Sequence, residues 1–500
     1  MRTISVKIAK SEFIETSTAV FIIAAVSLFI LANFVAGFNF PIYFFAMAAG
    51  FALSIVFPRS GFYAIVFLTV IFERFFTLVP IYWNRTEYKI YPIDILFAGV
   101  MLGTIYQIIK NGLPRKLKIV DYLIAIFILA SAVYFLASAF FLHADEAIAF
   151  STFKNYSFYG LFYFAFIFLF SEREKIFQLL KFFLAAASAA SIFIFIGIIR
   201  GEGLWTEFTP LSTPGTRILA FPHAFYFSMA LLASFVWLSF KKSKVNKFLY
   251  ALIPIWTAGI IGSLMRHLWI SLFISVLFLF YLLPQKNSKT LKTMLLHYAF
   301  FGAVLFILAA YISFIFPQSG VSKVFRGAAG VAGQRFVSTA QVSSDESLNW
   351  RKSVWEAAWT DFQHSLIFGL GYGKMVSVEI GLKYKDFIEV RNIHNSLLTM
   401  FIQMGIWSIA LITAIFYSIF RPLYSNIRKP RKGPAGNAEI KFFQVVFVVL
   451  FINYLIAFLF QTYLETNLLA VFFWIILGGL AVLGGYPEEI NKNIHTKENK

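Results

Sequence analysis

Apolar runs of roughly 18 or more residues recur along almost the whole chain, and a run of that length is enough to cross a bilayer as an α-helix. Of the 500 residues, 59% are hydrophobic and only 13% charged, with a mean hydropathy of +0.76. A soluble domain carries about 25% charged residues and has no interior large enough to hide this much apolar surface. Transmembrane barrels alternate apolar and polar residues over ten-residue strands, a pattern not found here. The reading is an all-α polytopic membrane protein. Cysteine is absent, which removes disulfides and thiolate metal sites.

Apolar length predicts about 14 transmembrane helices, near 17–37, 40–57, 61–82, 91–110, 119–142, 156–171, 174–199, 219–240, 247–265, 267–284, 292–316, 395–420, 440–460 and 465–484. The first run is too long for a secretory signal core and is read as the first span. With the N-terminus in the cytoplasm, "KNGLPRKLK", "KKSKVNK", "PQKNSKTLK" and "RPLYSNIRKPRKGPAG" all fall inside, while basic-poor connectors such as "HADEAIAFSTF" fall outside. The formal charge of +19 therefore reads as cytoplasmic loop retention rather than nucleic-acid binding. The expected organisation is an N-terminal transmembrane bundle over 1–316, a large periplasmic loop over 317–394, C-terminal transmembrane helices over 395–485 and a cytoplasmic tail over 486–500.

Two segments depart from simple spanning. Residues 248–283 form one apolar stretch of roughly 36 residues, too long for one span and right for two, with "GSLMRH" at 262–267 as the turn of a hairpin over 247–284. The 317–394 loop is too long for a connector. Within it "LNWRKSVWEAAWTDFQ" puts Trp350, Val354, Trp355, Ala358, Trp359 and Phe362 on one helical face, which predicts an interfacial amphipathic helix floating with its tryptophans at headgroup depth. "GLGYG" at 369–373 follows as a tight turn.

The outer face collects Arg200, Arg217, Arg266, Arg326, Arg335, Arg351 and Arg391, against the orientation bias, with His223, His267, His364 and His394. Taken singly, most such arginines are headgroup anchors. Arg266 is hemmed between two apolar helices, where an arginine costs on the order of 2.5–3.5 kcal/mol on insertion scales. No acid lies within about ten residues of it, so its partner is distant in sequence or a ligand, and a planar guanidinium fork suits phosphate. His394 stands at the first turn of a helix diving into the membrane, where the helix dipole disfavours imidazolium. A neutral imidazole can act as a general base; the competing reading is a histidine that merely caps a helix. No nucleotide phosphate loop, HExxH, GxSxG or metal-spaced acid pair is present. Nucleotide hydrolysis and a divalent metal are not expected, since arginines can supply the positive charge a diphosphate needs.

Three segments in order, "TAGIIGSLMRHLWISLFISVLF", "NWRKSVWEAAWTDFQHSLIFGLGYGKM" and "IHNSLLTMFIQMGIWSIALI", resemble the bacterial O-antigen ligase and O-antigen polymerase superfamily. A weaker upstream match is "TRILAFPHAFYFSMAL", with Ala220 and His223 where glycine and asparagine are common. Two further departures are Ser-Leu-Met-Arg in place of an adjacent Ser-Arg, and Trp407-Ser408 where a second glycine is common. The resemblance spans roughly 210–425 and implies an inverting, metal-independent glycosyltransferase without cofactor. It would work at the periplasmic face of the bacterial inner membrane, both termini being cytoplasmic. Its donor would be an undecaprenyl-diphosphate-linked glycan, and its acceptor lipid A–core or a second lipid-linked glycan. The family's diphosphate-binding arginines map to Arg266 and Arg351, with Arg217 as a further donor-site arginine, and its catalytic histidine maps to His394.

Ligase and polymerase differ only in acceptor, and a Gram-positive polysaccharide polymerase fits the same pattern. A lipid-linked oligosaccharide flippase or transporter predicts charges buried mid-span and related halves. The singled-out residues instead gather at one face and no half-repeat is visible.

Overall fold

A computed structural model describes the chain apart from residues 1, 38, 73–80, 84–85, 89, 143, 201–217, 242–244, 319–321, 323–324, 327–329, 331–332, 334–345, 381–385, 392, 429–435 and 499–500. Long apolar helices make up most of it: α1 (Arg2–Ala36), α2 (Phe40–Val56), α3 (Pro58–Phe72), α4 (Pro92–Asn111), α5 (Ile119–Phe140), α6 (Glu146–Phe153), α7 (Leu161–Leu169), α8 (Arg173–Ala190), α9 (Ile192–Arg200), α10 (Phe221–Phe240), α11 (Val245–Gly262), α12 (Arg266–Leu282), α13 (Gln285–Ile315), α14 (Glu346–Phe362), α15 (Ser396–Met404), α16 (Ile406–Arg428), α17 (Gly436–Phe458) and α18 (Asn467–Glu498). Nine helical stretches among the described residues are long and apolar enough to cross a membrane, and four more apolar helices are shorter.

That tally differs from the fourteen expected spans. The stretch 156–171 is not one helix: α6 runs into a π-helical turn (Lys154–Phe158), and α7 after it has only nine residues. The expected span 395–420 is likewise cut at Gly405, whose φ of +85° ends α15. At the first break the π-turn aims Lys154 and Tyr156 at polar partners; at the second, Gly405 lets the backbone approach Ile367 O, where a Cβ would clash. The chain is also not wholly helical. Ile81–Trp83 pairs antiparallel with Thr86–Tyr88 as β1 and β2, and Val376–Ile380 pairs with Asp386–Val390 as β3 and β4, in the register Val378 opposite Ile388.

Burial sorts the helices. α10 is enclosed nearly all round, packing against α11, α12 and α17, whereas α13 leaves almost its whole surface open and lies at the rim. A helix apolar on every side needs either protein or lipid around it; α10 has the first and α13 calls for the second.

The 317–394 region holds a small subdomain beside the bundle. The apolar face of α14 does not float. Val354, Ala358 and Phe362 are fully buried against Val376 and Val378 of β3, Ile393 and Ile402, and the Trp355 indole N–H donates to Ile393 O at 2.8 Å. Strand alternation explains the fit: Val376 and Val378 point in, while Ser377 and Glu379 point out. Burying a side chain the size of Phe362 contributes about 1.5–3 kcal/mol, so the hairpin competes with the bilayer for this face. Trp359 alone of the three tryptophans stays exposed.

Candidate functional site

At one end of the bundle α4 begins, α5 ends, α11 turns into α12, and the connector 459–466 links α17 to α18. Of the polar side chains singled out in the sequence, His267 and His394 meet at this end through the connector.

The hairpin turn is built from residues 263–265. The Ser263 hydroxyl donates to Ile260 O at 2.7 Å, Leu264 takes a left-handed φ of +56°, and Arg266 opens α12. Arg266 is half-buried. Its neighbour His267 is buried, with Nε2 3.1 Å from the Tyr463 hydroxyl in the connector.

His394 meets the same connector from the other side. Its Nδ1 lies 2.7 Å from Gln461 Oε1. An amide oxygen only accepts, so Nδ1 carries the ring proton and the Nε2 lone pair is left to act as acceptor. His394 is not in the first helical turn. It precedes the N-cap Asn395, whose side chain accepts from Leu398 N at 3.0 Å, and holds a left-handed φ of +58°. Among the described residues, Leu264 and His394 are the two non-glycine positions with positive φ, and His394 is bonded to this connector. Such backbone strain persists where the surroundings over-determine it, which is often at functional sites. Burial lowers the His394 pKa below the ordinary imidazole value; the charge of Arg351 pushes the same way, against the Gln461 hydrogen bond. The direction is the one expected from the sequence, with burial as its largest cause and the Arg351 charge adding to it.

Arg351, on the first turns of α14, is thus close enough for its charge to reach the imidazole, and it is half-buried. Arg266 precedes His267, whose ring reaches Tyr463 of the connector. Arg217 lies outside the described residues, as do Arg335 and the side chain of Arg200. Arg326 lies elsewhere, donating to Ser313 O at the end of α13. His223 points into the bundle, with Nε2 3.1 Å from Ile71 O.

Glu465 was not anticipated. It sits in the connector outside the spans, where Oε2 accepts from the Ser396 hydroxyl and Oε1 from the Tyr156 hydroxyl, each at 2.6 Å. Burial pushes its pKa up to about 7; those two hydroxyls and the charge of Arg391 hold it from rising further. Ser396 also accepts from Leu464 N at 3.1 Å, so the start of α15 and the connector are locked to each other. The π-turn aims Tyr156 at Glu465 and, two residues earlier, Lys154 at Asp94 (2.9 Å), which also accepts from the Tyr159 hydroxyl at 2.6 Å. A signal for Glu465 was present: an acid at the mouth of an otherwise apolar run, within "FQTYLETN".

Fold and site together define a multi-pass helical membrane protein with a polar centre at one end of its bundle. Residues 249–413, about a third of the chain, match the model of the O-antigen ligase family, which bears out over that segment the resemblance read from the sequence. The matched segment contains Arg266, Arg351 and His394 but neither Gln461 nor Glu465. No curated protein matches the chain.

Proposed function

We propose that this protein is an inverting, metal-independent glycosyltransferase that moves a glycan from undecaprenyl diphosphate to a sugar hydroxyl of lipid A–core. The site end faces the periplasm, and both termini are in the cytoplasm. The observation that carries the reading is His394, held on strained backbone with Nδ1 tied to Gln461 and the Arg351 charge close by.

The acceptor hydroxyl gives its proton to His394 Nε2. Its oxygen forms a bond to the anomeric carbon from the face opposite the diphosphate. The bond from that carbon to the diphosphate oxygen breaks, and the polyprenyl diphosphate leaves with the electron pair. Arg266, Arg351 and, as a further donor-site arginine, Arg217 stabilise the growing negative charge more in the transition state than in the ground state. Each charge-assisted contact contributes about 1.5–3 kcal/mol. His394, neutral at pH 7 because its pKa is lowered, is in the state a base requires.

The deciding experiment is purified protein in proteoliposomes with undecaprenyl-diphosphate-linked glycan and, in separate arms, lipid A–core or a second lipid-linked glycan. Product on lipid A–core supports the ligase reading, and product only on the second glycan makes the protein a polymerase. Movement of donor between leaflets without any new glycosidic bond replaces the enzyme with a flippase. Activity that is lost in EDTA and restored by Mg²⁺ overturns the arginine-only account.

A further inference from the structure

The turn that joins α14 to the GLGYG segment sits below the end of the bundle. The Ile406 N–H donates to Leu366 O at 3.0 Å, and the Trp407 indole N–H donates to the Tyr134 hydroxyl at 2.9 Å. Tyr134 lies six residues before the end of α5 at Phe140. At 1.5 Å per residue, that level is about 9 Å inside the end of α5. Tyr372 points deeper still, its hydroxyl donating to Ser131 Oγ at 2.8 Å. α5 has 22 residues and so spans about 33 Å, close to the roughly 30 Å hydrocarbon thickness of a bilayer. The turn 366–368 therefore lies at membrane depth although it is not helical, and Gly371 and Gly373 rise to the end of α5, beside Leu142 and Asp145.

Non-helical backbone within a membrane needs partners for its polar groups, and the amides of residues 369–371 have them. Gly369 N donates to Ser365 O, Leu370 N to Ile402 O and Gly371 N to Gln403 O. Three consecutive side chains at the tip nevertheless face outward: Leu366, Ile367 and Phe368 are 46%, 63% and 71% exposed. They continue the outward apolar surface of Ile406 and Ile409 at the head of α16. In water such a patch is costly; against acyl chains it is stabilising.

We propose that Leu366, Ile367 and Phe368 form a wedge inserted among the acyl chains of the leaflet at the site end, anchoring the α14–β3–β4 subdomain to the bilayer. The subdomain is thereby held by its tip rather than by the tryptophan face of α14, which its own hairpin covers. This inference rests on the membrane-spanning fold alone and stands whether or not the transfer reaction does.

The chain has no cysteine, so single reporters can be introduced without background. Ile367→Cys and Phe368→Cys, with Ser377→Cys on the outward face of β3 as the reference, are each labelled with an environment-sensitive fluorophore in phosphatidylcholine proteoliposomes. The two tip labels should be blue-shifted, quenched severalfold more by lipids spin-labelled near the headgroup than by aqueous iodide, and the Ser377 label the reverse. Iodide quenching of the tip labels equal to that at Ser377 overturns the proposal. Protection from both quenchers also overturns it, since protein would then cover the tip.

Discussion

The two ends of the bundle use polar residues differently. At the end away from the connector, cations are matched to anions. Glu15 lies between Arg59 (3.2 Å) and Lys175 (3.1 Å), and Arg115 pairs with Asp121, which also accepts from the Tyr163 hydroxyl. These contacts clamp α1, α3 and α8, and tie the α4–α5 connector to α5 and α7. At the site end, Glu465 is held by two hydroxyls and His394 by an amide. Neither arrangement neutralises a charge: burial raises the Glu465 pKa to about 7 and lowers that of His394 below the ordinary imidazole value. The Lys154–Asp94 pair shows that the site end also contains a structural ion pair, so the difference lies in the connector and what it touches.

The sharpest break of this comparison is His394→Ala. We expect transfer in proteoliposomes to fall by about 10²–10⁴-fold, the usual contribution of a general base, with the protein still folded and donor binding nearly unchanged. Full activity would make the imidazole structural, like the ion pairs at the other end. Next come the arginines. Arg351→Gln and Arg266→Lys should each cost roughly 10–150-fold in transfer, corresponding to about 1.5–3 kcal/mol, because the first removes the charge and the second puts a point charge in place of a planar fork. Removing the Arg351 charge also takes away a cause of the lowered His394 pKa, so the acidic limb of the pH–rate profile should move to higher pH. A limb that stays in place would separate the two groups.

The opposite end should respond the other way. Asp121→Asn leaves Arg115 buried beside a neutral partner and should cost about 3–5 kcal/mol of stability, read as a lower melting temperature in detergent, with unchanged transfer per folded molecule. The smallest effect is expected at Glu465. Its folded pKa is raised from 4.5 to about 7, so its protonated form is favoured by folding. The stability it contributes is full below pH 4.5 and is lost as pH rises through about 7. Melting temperature should therefore decline across that window in the parent protein and decline less in Glu465→Gln. An identical pH dependence in both would place the titration elsewhere.

Much of this organisation was legible beforehand because spanning a bilayer is a one-dimensional constraint: length and hydropathy find a helix without knowledge of its neighbours. The break at 263–265 followed from a stretch too long for one span, and the arginines stood out by lying on the wrong side of the orientation bias. The stretch 156–171 was misread because its composition is apolar while its backbone must bend to aim Lys154 and Tyr156. α14 reads as a floating helix because an amphipathic face shows that it needs a partner without saying which, and the hairpin that covers it contributes few apolar residues, among them Val376, Val378 and Val390. Gln461, between two expected spans, and Glu465, at the first residue of the second, read as ordinary polar residues; their contacts with His394 and Ser396, 67 and 69 residues away, exist only in the fold.

The sequence by itself determined the membrane-spanning class, most of the helices, the hairpin, the superfamily segment and the types of residue available for chemistry, since these depend on local composition and on motifs read in order. Tertiary structure alone decided that Arg351 bears on His394, that Gln461 orients the imidazole, and that a carboxylic acid near neutrality stands beside them. Those are through-space electrostatic and hydrogen-bond relations between segments distant in the chain, and they exist only once the helices are packed.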